Sequence, residues 1–474
     1  MIKENRWQII GLIGLALMIY LPTLNHQFIA DDIFGIVNNP EIFKWGHVWQ
    51  NPLVVLNRLE YWLIVNTFGV IPWPFRLVNI LVHLMTAIGG FVLTEKLINK
   101  TVATVAAVLI IVHPLMIESV TWISGNGYSW YGMLLVWSLI FYLRAGKNWQ
   151  QWLISVGLFL AALEFSEKAA VLPGILLVYR LAIDRKRGQW WDLAPYVFLS
   201  GLWLWLNLMG VGARLNYLQT EYNSNISIKP TIFVQMPVAL TNYLGLMVWP
   251  DKLTLYHSEL DVTKSKFIFM AGITMVYFLI TGWCLLKGLR AGFFMSWLII
   301  GLSPTLIPLG VAWIVAERYV YFASIGIYIL IAWGLVSWSQ KQEEIKIGWA
   351  VTVIIIISFL IRTMVRNQDW QDQDHLWLAA ERTSPSSSQN HNNLGDLYGR
   401  RGDFNLSERH FKQAIELNPN YADAMHNLAN IYVRLGQLEE AIKWYESALK
   451  NKPSLWQSEQ QLKAVKDYLQ TQGQ

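Results

Sequence analysis

Two carboxylates, Asp31 and Asp32, stand side by side in FIADDIFGIVNNPEIF (residues 28–43), directly after the first long apolar run of a chain that is only 15% charged. Ionisable groups bordering apolar runs are costly to keep there and usually serve function. Arg58 and Glu60, Arg76 and His83, His113 and Glu118, Glu167 and Lys168, and Glu317 and Arg318 share that setting. Such a set suits one kind of chemistry. A carboxylate takes the proton of an attacking hydroxyl, while arginine and lysine hold an anionic leaving group, arginine bidentately when that group is a phosphate. Asp31 or Asp32 supplies the base, with Asp31 preferred; its neighbour orients it or helps hold a divalent metal, Mg2+ or Mn2+. Arg318 and Lys168 lead as cations, with Arg76 and Arg58 behind them and Glu118, Glu167, His83 and His113 in support. Each residue also has a plainer reading. The Asp pair could start a solvated loop, Glu118 join a structural ion pair, His83 be a bonded core residue, Glu167–Lys168 form a polar turn, and Arg318 anchor an aromatic belt. The plain readings require six coincidences on one face. No P-loop, dinucleotide fingerprint or Cys/His metal spacing occurs, and nothing points to nucleic acid.

The elements that must position these residues are membrane helices. A span takes about 20 mainly apolar residues. The chain is 54% hydrophobic and carries 25 tryptophans among 474 residues, more apolar surface than a soluble protein hides. Apolar runs lie near 7–24, 75–95, 101–118, 128–143, 151–166, 168–183, 193–211, 267–286, 293–310, 319–337 and 347–364. A twelfth, near 232–250, contains Gln235, Pro237, Thr241 and Asn242 and reads as re-entrant or interfacial. The first run lacks a cleavage site and reads as a retained span. With the N-terminus inside and eleven crossings, every inner loop is basic: Lys96/Lys100, Arg144/Lys147, Arg180/Arg185/Lys186/Arg187, Lys287/Arg290 and Lys341/Lys346. The outer loops are then 25–74, 212–231 and 251–266, and LVVLNRLEYWLIVNTFG in the first suits a helix lying on the membrane surface. The lone Cys284 forms no internal disulfide. Sequons stand at Asn225 and Asn405.

Composition shifts after residue 365. Pro385, Pro419 and Pro453 recur at the tetratricopeptide period, and Leu394-Gly395, Tyr398, Gly402, Phe411 and Ala414 align with Leu428-Ala429, Tyr432, Gly436, Tyr445 and Ala448. The expected organisation is a membrane domain over 1–365 and repeats over 366–474: a half repeat 366–387, full repeats 388–421 and 422–455, and a capping helix 456–470. So short an array is expected to lean on the membrane domain.

The stretches ADDIFGIVNNP, PFRLVNILVHLMTAIGGFVL, VHPLMIESVTWISG, EKAAVLPGILLVY and ERYVYFASIGIYILIAW, followed by the repeats, resemble in order the polyprenyl-phosphate-sugar-dependent glycosyltransferases of the GT-C fold. The subgroup they look most like carries C-terminal tetratricopeptide repeats, as the transmembrane O-mannosyltransferases do. The resemblance implies an all-α fold, a polytopic GT-C-like domain followed by a short α-solenoid. It also implies sugar transfer from a lipid-linked phosphate to a hydroxyl, with a protein or peptide acceptor, on the non-cytoplasmic face. The membrane would be the inner membrane of a bacterium or the ER membrane of a eukaryote. The acidic residue of the first outer loop is that fold's catalytic carboxylate, the place of Asp31-Asp32. Arg318 in ERYVYF matches the family's arginine, which suggests lipid-phosphate contact, and Glu118 matches the acidic residue after HP. The chain departs from the pattern at Arg76, often His in the family, at NGYSW after WISG, and at SEK, where lysine follows glutamate. The rival classes are a non-catalytic membrane-anchored repeat scaffold and a lipid-linked glycan ligase or flippase.

Overall fold

The computed structural model describes residues 4–146, 148–184, 190–210, 232–258, 260, 262–306, 314–341 and 345–472. The second outer loop, the basic residues 185–187, Lys147 and Asn225 lie outside them. Among the described residues there are helices and no strands. We number those of eight residues or more. The membrane part holds α1 (Arg6–Tyr20), α2 (Val55–Phe68), α3 (Pro72–Leu97), α4 (Lys100–Val112), α5 (Asn126–Ala145), α6 (Trp149–Phe165) and α7 (Leu172–Tyr179). It continues with α8 (Ala194–Met209), α9 (Ile232–Val248), α10 (Lys264–Leu286), α11 (Arg290–Leu306), α12 (Tyr321–Ser339) and α13 (Ile345–Asp369).

Each apolar run read from the sequence overlaps one of these helices, although the 101–118 run breaks after Val112 and residues 307–310 of the 293–310 run lie outside the described residues. Among the described residues, five segments are by themselves long and apolar enough to cross a membrane: Arg6–Asn25, Pro72–Leu97, Lys264–Leu286, Glu317–Ser339 and Ile345–Asp369. A sixth follows if the pair Lys100–Val112 and Pro114–Val120, bent by 56°, counts as one. The 232–250 run is a 17-residue apolar helix, α9, set against α10 and α11. The bundle has a centre and a rim. The apolar windows of α3 and the Glu317–Ser339 segment are 72% and 67% buried, against 28%, 22% and 17% for those of α1, α10 and α13. Peripheral helices thus turn their apolar faces outward, as a lipid environment requires.

Local sequence sets the breaks that matter. Asn99 caps α4 by accepting from the Val102 N–H at 2.9 Å. Pro114, which has no N–H to give, ends that helix. The chain resumes over Ile117–Val120 at an angle that turns Glu118 wholly inside.

The repeats form α14 (Gln373–Thr383), α15 (Ser388–Arg400), α16 (Phe404–Leu417), α17 (Ala422–Arg434), α18 (Leu438–Asn451) and α19 (Trp456–Gln472). Gly402 and Gly436 close α15 and α17 at φ +82° and +73°, a region that favours glycine. α13 runs past residue 365 to Asp369 and carries Arg366 and Asn367 into the bundle. The half repeat leans on the membrane part. Trp370, Leu376, Trp377, Leu394 and Leu397 share one apolar cluster with Ile29, Ile117, Trp122 and Leu255. Gln27 N–H donates to the Gln371 carbonyl at 2.9 Å, and Tyr256 stacks on Trp377. The aspartate loop and the repeats therefore occupy the same end of the bundle.

Candidate active site

The loop that carries the aspartates is shaped by Ala30, whose φ of +48° makes it the single non-glycine residue with positive φ among the described residues. Such backbone costs roughly 1–2 kcal/mol and concentrates at functional sites. The two aspartates that follow differ. Asp32 is fully buried: Oδ2 accepts from the Ile29 N–H at 3.2 Å, and Oδ1 from the Ser124 N–H at 2.9 Å and the Ser124 hydroxyl at 2.5 Å. Burial pushes its carboxyl up to about 6, against the hydrogen bonds from Ser124 and Ile29 and the Arg76 charge. Asp31 is exposed yet ringed by protein, so partial desolvation raises its pKa against the pull of Arg318.

Arg76 is placed otherwise than the sequence suggested. Its guanidinium, buried, donates to the backbone carbonyls of Thr121 at 3.1 Å, His26 at 2.5 Å and Gln27 at 2.5 Å. It ties the aspartate loop to the segment that bears Ser124, and acts as a clamp rather than a phosphate ligand. Arg58 bonds the His47 carbonyl at 2.8 Å. His83 lies in the core against the Tyr321 hydroxyl at 2.8 Å, and His113 spans the Met247 carbonyl and the Leu115 N–H. These four are not brought to the centre.

Arg318, Lys168, Glu118 and Glu167 are. Glu118 accepts from the Arg318 backbone N–H at 2.8 Å and forms an ion pair with its Nη1. The Arg318 guanidinium lies 5.6 Å over Trp122 and 5.1 Å over Tyr319. Lys168 Nζ lies 3.1 Å from Glu167, 5.1 Å from the Tyr128 ring and 5.9 Å from the Tyr319 ring. Both cations thus flank Tyr319. Lys168 and Glu167 open onto a cavity of about 390 Å³ that Ser124, Asn126, Tyr128 and Phe165 also line. Through Ser124 the cavity reaches Asp32. Aromatic and carboxylate neighbours fix both cations where a developing negative charge would be stabilised.

Several further members carry no spacing signal. Ser124, in the short turn Ile123–Gly125, and Asn126, which opens α5, are neutral residues. Arg366 pairs with Glu317 at 3.3 Å and Asp369 at 3.0 Å, and Asn367 accepts from the Thr121 hydroxyl at 2.7 Å. A motif search confined to apolar-run ends could have found Arg366, which closes α13. For a metal, the donor set does not fit. Both Asp32 oxygens already accept protein hydrogen bonds, and among the described residues no group of three or more His, Cys, Asp or Glu could hold an ion.

Residues 387–454 match the tetratricopeptide repeat family. Over most of its length the chain is similar to proteins named protein O-mannosyl-transferase. It is 23% identical to the human TMTC3 protein across 96% of the chain and 56% of that protein. For human TMTC1 the figures are 24%, 89% and 56%, and for Caenorhabditis elegans F38B6.6 they are 22%, 86% and 62%. The chain thus spans little more than half the length of the curated relatives it matches. These likenesses bear out the resemblance drawn from the ordered motifs and repeats.

Proposed function

We propose that the protein is a multi-pass membrane glycosyltransferase that moves one hexose from a polyprenyl-phosphate carrier to a hydroxyl of a polypeptide. The observation that carries this reading is a polar cavity lined by Lys168 and Glu167 whose Ser124 bonds Asp32, with the Glu118–Arg318 pair sharing the Tyr319 ring with Lys168 and the Arg318 charge acting on Asp31. A bare scaffold has no use for such a cluster, and the relatives' shared transferase name favours the same choice. That name also favours mannose and a protein acceptor.

Asp31 accepts the proton of the acceptor hydroxyl as that oxygen attacks C1 of the sugar. The bond from C1 to the phosphate oxygen breaks, and its electron pair leaves with the lipid phosphate. Arg318 and Lys168 hold the charge that develops there; Asp32 fixes the loop. A single displacement inverts C1. No step runs through a metal. The site lies on the non-cytoplasmic face, where basic inner loops put the first loop, and the repeats beside it receive the polypeptide. Membranes containing the protein, incubated with radiolabelled polyprenyl-phosphate sugars and extracted for labelled protein, test this. Label in a polypeptide supports it; label that stays in lipid, with no protein product from any donor, refutes it.

A further inference from the structure

One part of the cavity wall is built from groups that the transfer step leaves unused. α2 brings Asn57, Glu60 and Tyr61 to Asn126 at the start of α5. Asn126, 2% exposed, donates from Nδ2 to both Glu60 oxygens at 3.2 Å each. Its Oδ1 accepts from Asn57 Nδ2 and from the Tyr61 hydroxyl, each at 3.4 Å. Asn57, Tyr61 and Asn126 all line the cavity. Asn57 spends one N–H in this network, which leaves its carbonyl oxygen and second N–H to a guest. Aromatic rings complete the lining: Tyr128, and Phe165 stacked on Trp130 at 4.7 Å and 6°.

Carboxamides beside aromatic rings are the surroundings a pyranose needs. Its hydroxyls donate and accept at the amides, and its C–H face lies on a ring. The volume of about 390 Å³ is near the lower end of ligand pockets, about 300–1,000 Å³. That accommodates one sugar ring. Lys168 and Ser124, the latter bonded to Asp32, line the same space.

We propose that this cavity is a monosaccharide subsite, and that Asn57 with the Glu60–Asn126 pair sets which sugar it accepts. The proposal rests on the transferase reading. A wall built to hydrogen-bond a particular hydroxyl discriminates against an epimer, because the mismatched partner leaves a buried polar group unpaired.

The test uses the purified full chain in lipid vesicles and competing short-chain polyprenyl-phosphate mannose, glucose and galactose. Wild type is compared with Asn57→Ala and Glu60→Gln, with melting temperature recorded. Each substitution should narrow the preference between the best and second-best sugar by roughly three- to tenfold, as expected for one hydrogen bond, through KM rather than kcat. Asn57 is half-buried, so Asn57→Ala keeps the test open if Glu60→Gln does not fold. Variants that transfer with the wild-type preference overturn the sugar assignment alone. A wild type that transfers from none of the three donors overturns the transferase reading and this proposal with it.

Discussion

Replacing each aspartate by asparagine should separate a base from a strut. Asp32 holds three hydrogen bonds with its two oxygens, to Ile29 N–H and to both donors of Ser124. An asparagine there can keep the Ser124 contacts with its carbonyl oxygen, but its NH2 then faces the Ile29 N–H. Turned over, it faces the Ser124 N–H instead. Either way a buried donor loses its acceptor, which costs about 1–3 kcal/mol. Asp31 is exposed and faces the Arg318 charge, so asparagine there removes basicity and leaves the loop intact. A positioned general base contributes roughly 10²–10⁴-fold. Asp31→Asn should therefore lose at least about a hundredfold in rate with an unchanged melting temperature. Asp32→Asn should lower the melting temperature and lose rate only as far as the loop loosens. Initial transfer rates at saturating donor and melting curves in detergent decide this. If Asp31→Asn keeps more than about a tenth of the rate, it lacks the general-base contribution. If Asp32→Asn instead abolishes transfer at full stability, the roles are reversed.

The remaining expectations concern charge, pH and sidedness. Arg318→Ala alone strands Glu118, and breaking a buried pair costs about 3–5 kcal/mol; Arg318→Ala with Glu118→Gln should stay folded yet lose donor binding by equilibrium titration, and normal affinity would return Arg318 to an anchor. Arg366→Met should destabilise through the stranded Glu317, and more than Arg362→Met, since Arg366 is buried and Arg362 bonds only backbone carbonyls; equal melting temperatures would remove the network from the account of how α13 is held. For pH, the Asp32 carboxyl is raised from 3.8 to about 6, so the folded chain binds the extra proton between those values. That contribution to stability is greatest in acid and falls as pH rises from about 4 to about 6, while transfer rises with pH as the Asp31 base, itself raised above the ordinary carboxylate range by desolvation, ionises. Parallel pH profiles of melting and rate moving in the same direction would contradict this. Cysteines at exposed Gln50 and Gln437 should both label from the outer side in sealed vesicles, against a native Cys284 that is buried; labelling of one alone would break the shared-face topology.

Much of this architecture is legible in the residues. Apolar runs of spanning length become helices because lipid leaves the backbone no other partner, and the 34-residue proline period marks the repeats before any coordinate does. The aspartate pair could be located but not apportioned: the difference between Asp31 and Asp32 depends on Ser124, 92 positions away, folding back to donate two hydrogen bonds. Arg76 misleads for a related reason. An arginine beside an apolar run looks the same whether its guanidinium faces a phosphate or, as here, three backbone carbonyls. Arg366 is hidden in the sequence because composition changes at 365, whereas the helix continues to Asp369. Ser124 and Asn126 carry neither charge nor periodicity, so only the fold reveals them.

The most direct test of a lipid-phosphate transfer site is the stereochemistry of its product. Purified protein in vesicles is given a polyprenyl-phosphate hexose of defined anomeric configuration, carbon-13 labelled at C1, and an acceptor peptide, and the linkage is read by NMR. A glycopeptide of inverted configuration, absent with Asp31→Asn, is the result expected of one carboxylate driving a single displacement. A product of retained configuration, or equal yield from Asp31→Asn, would contradict it.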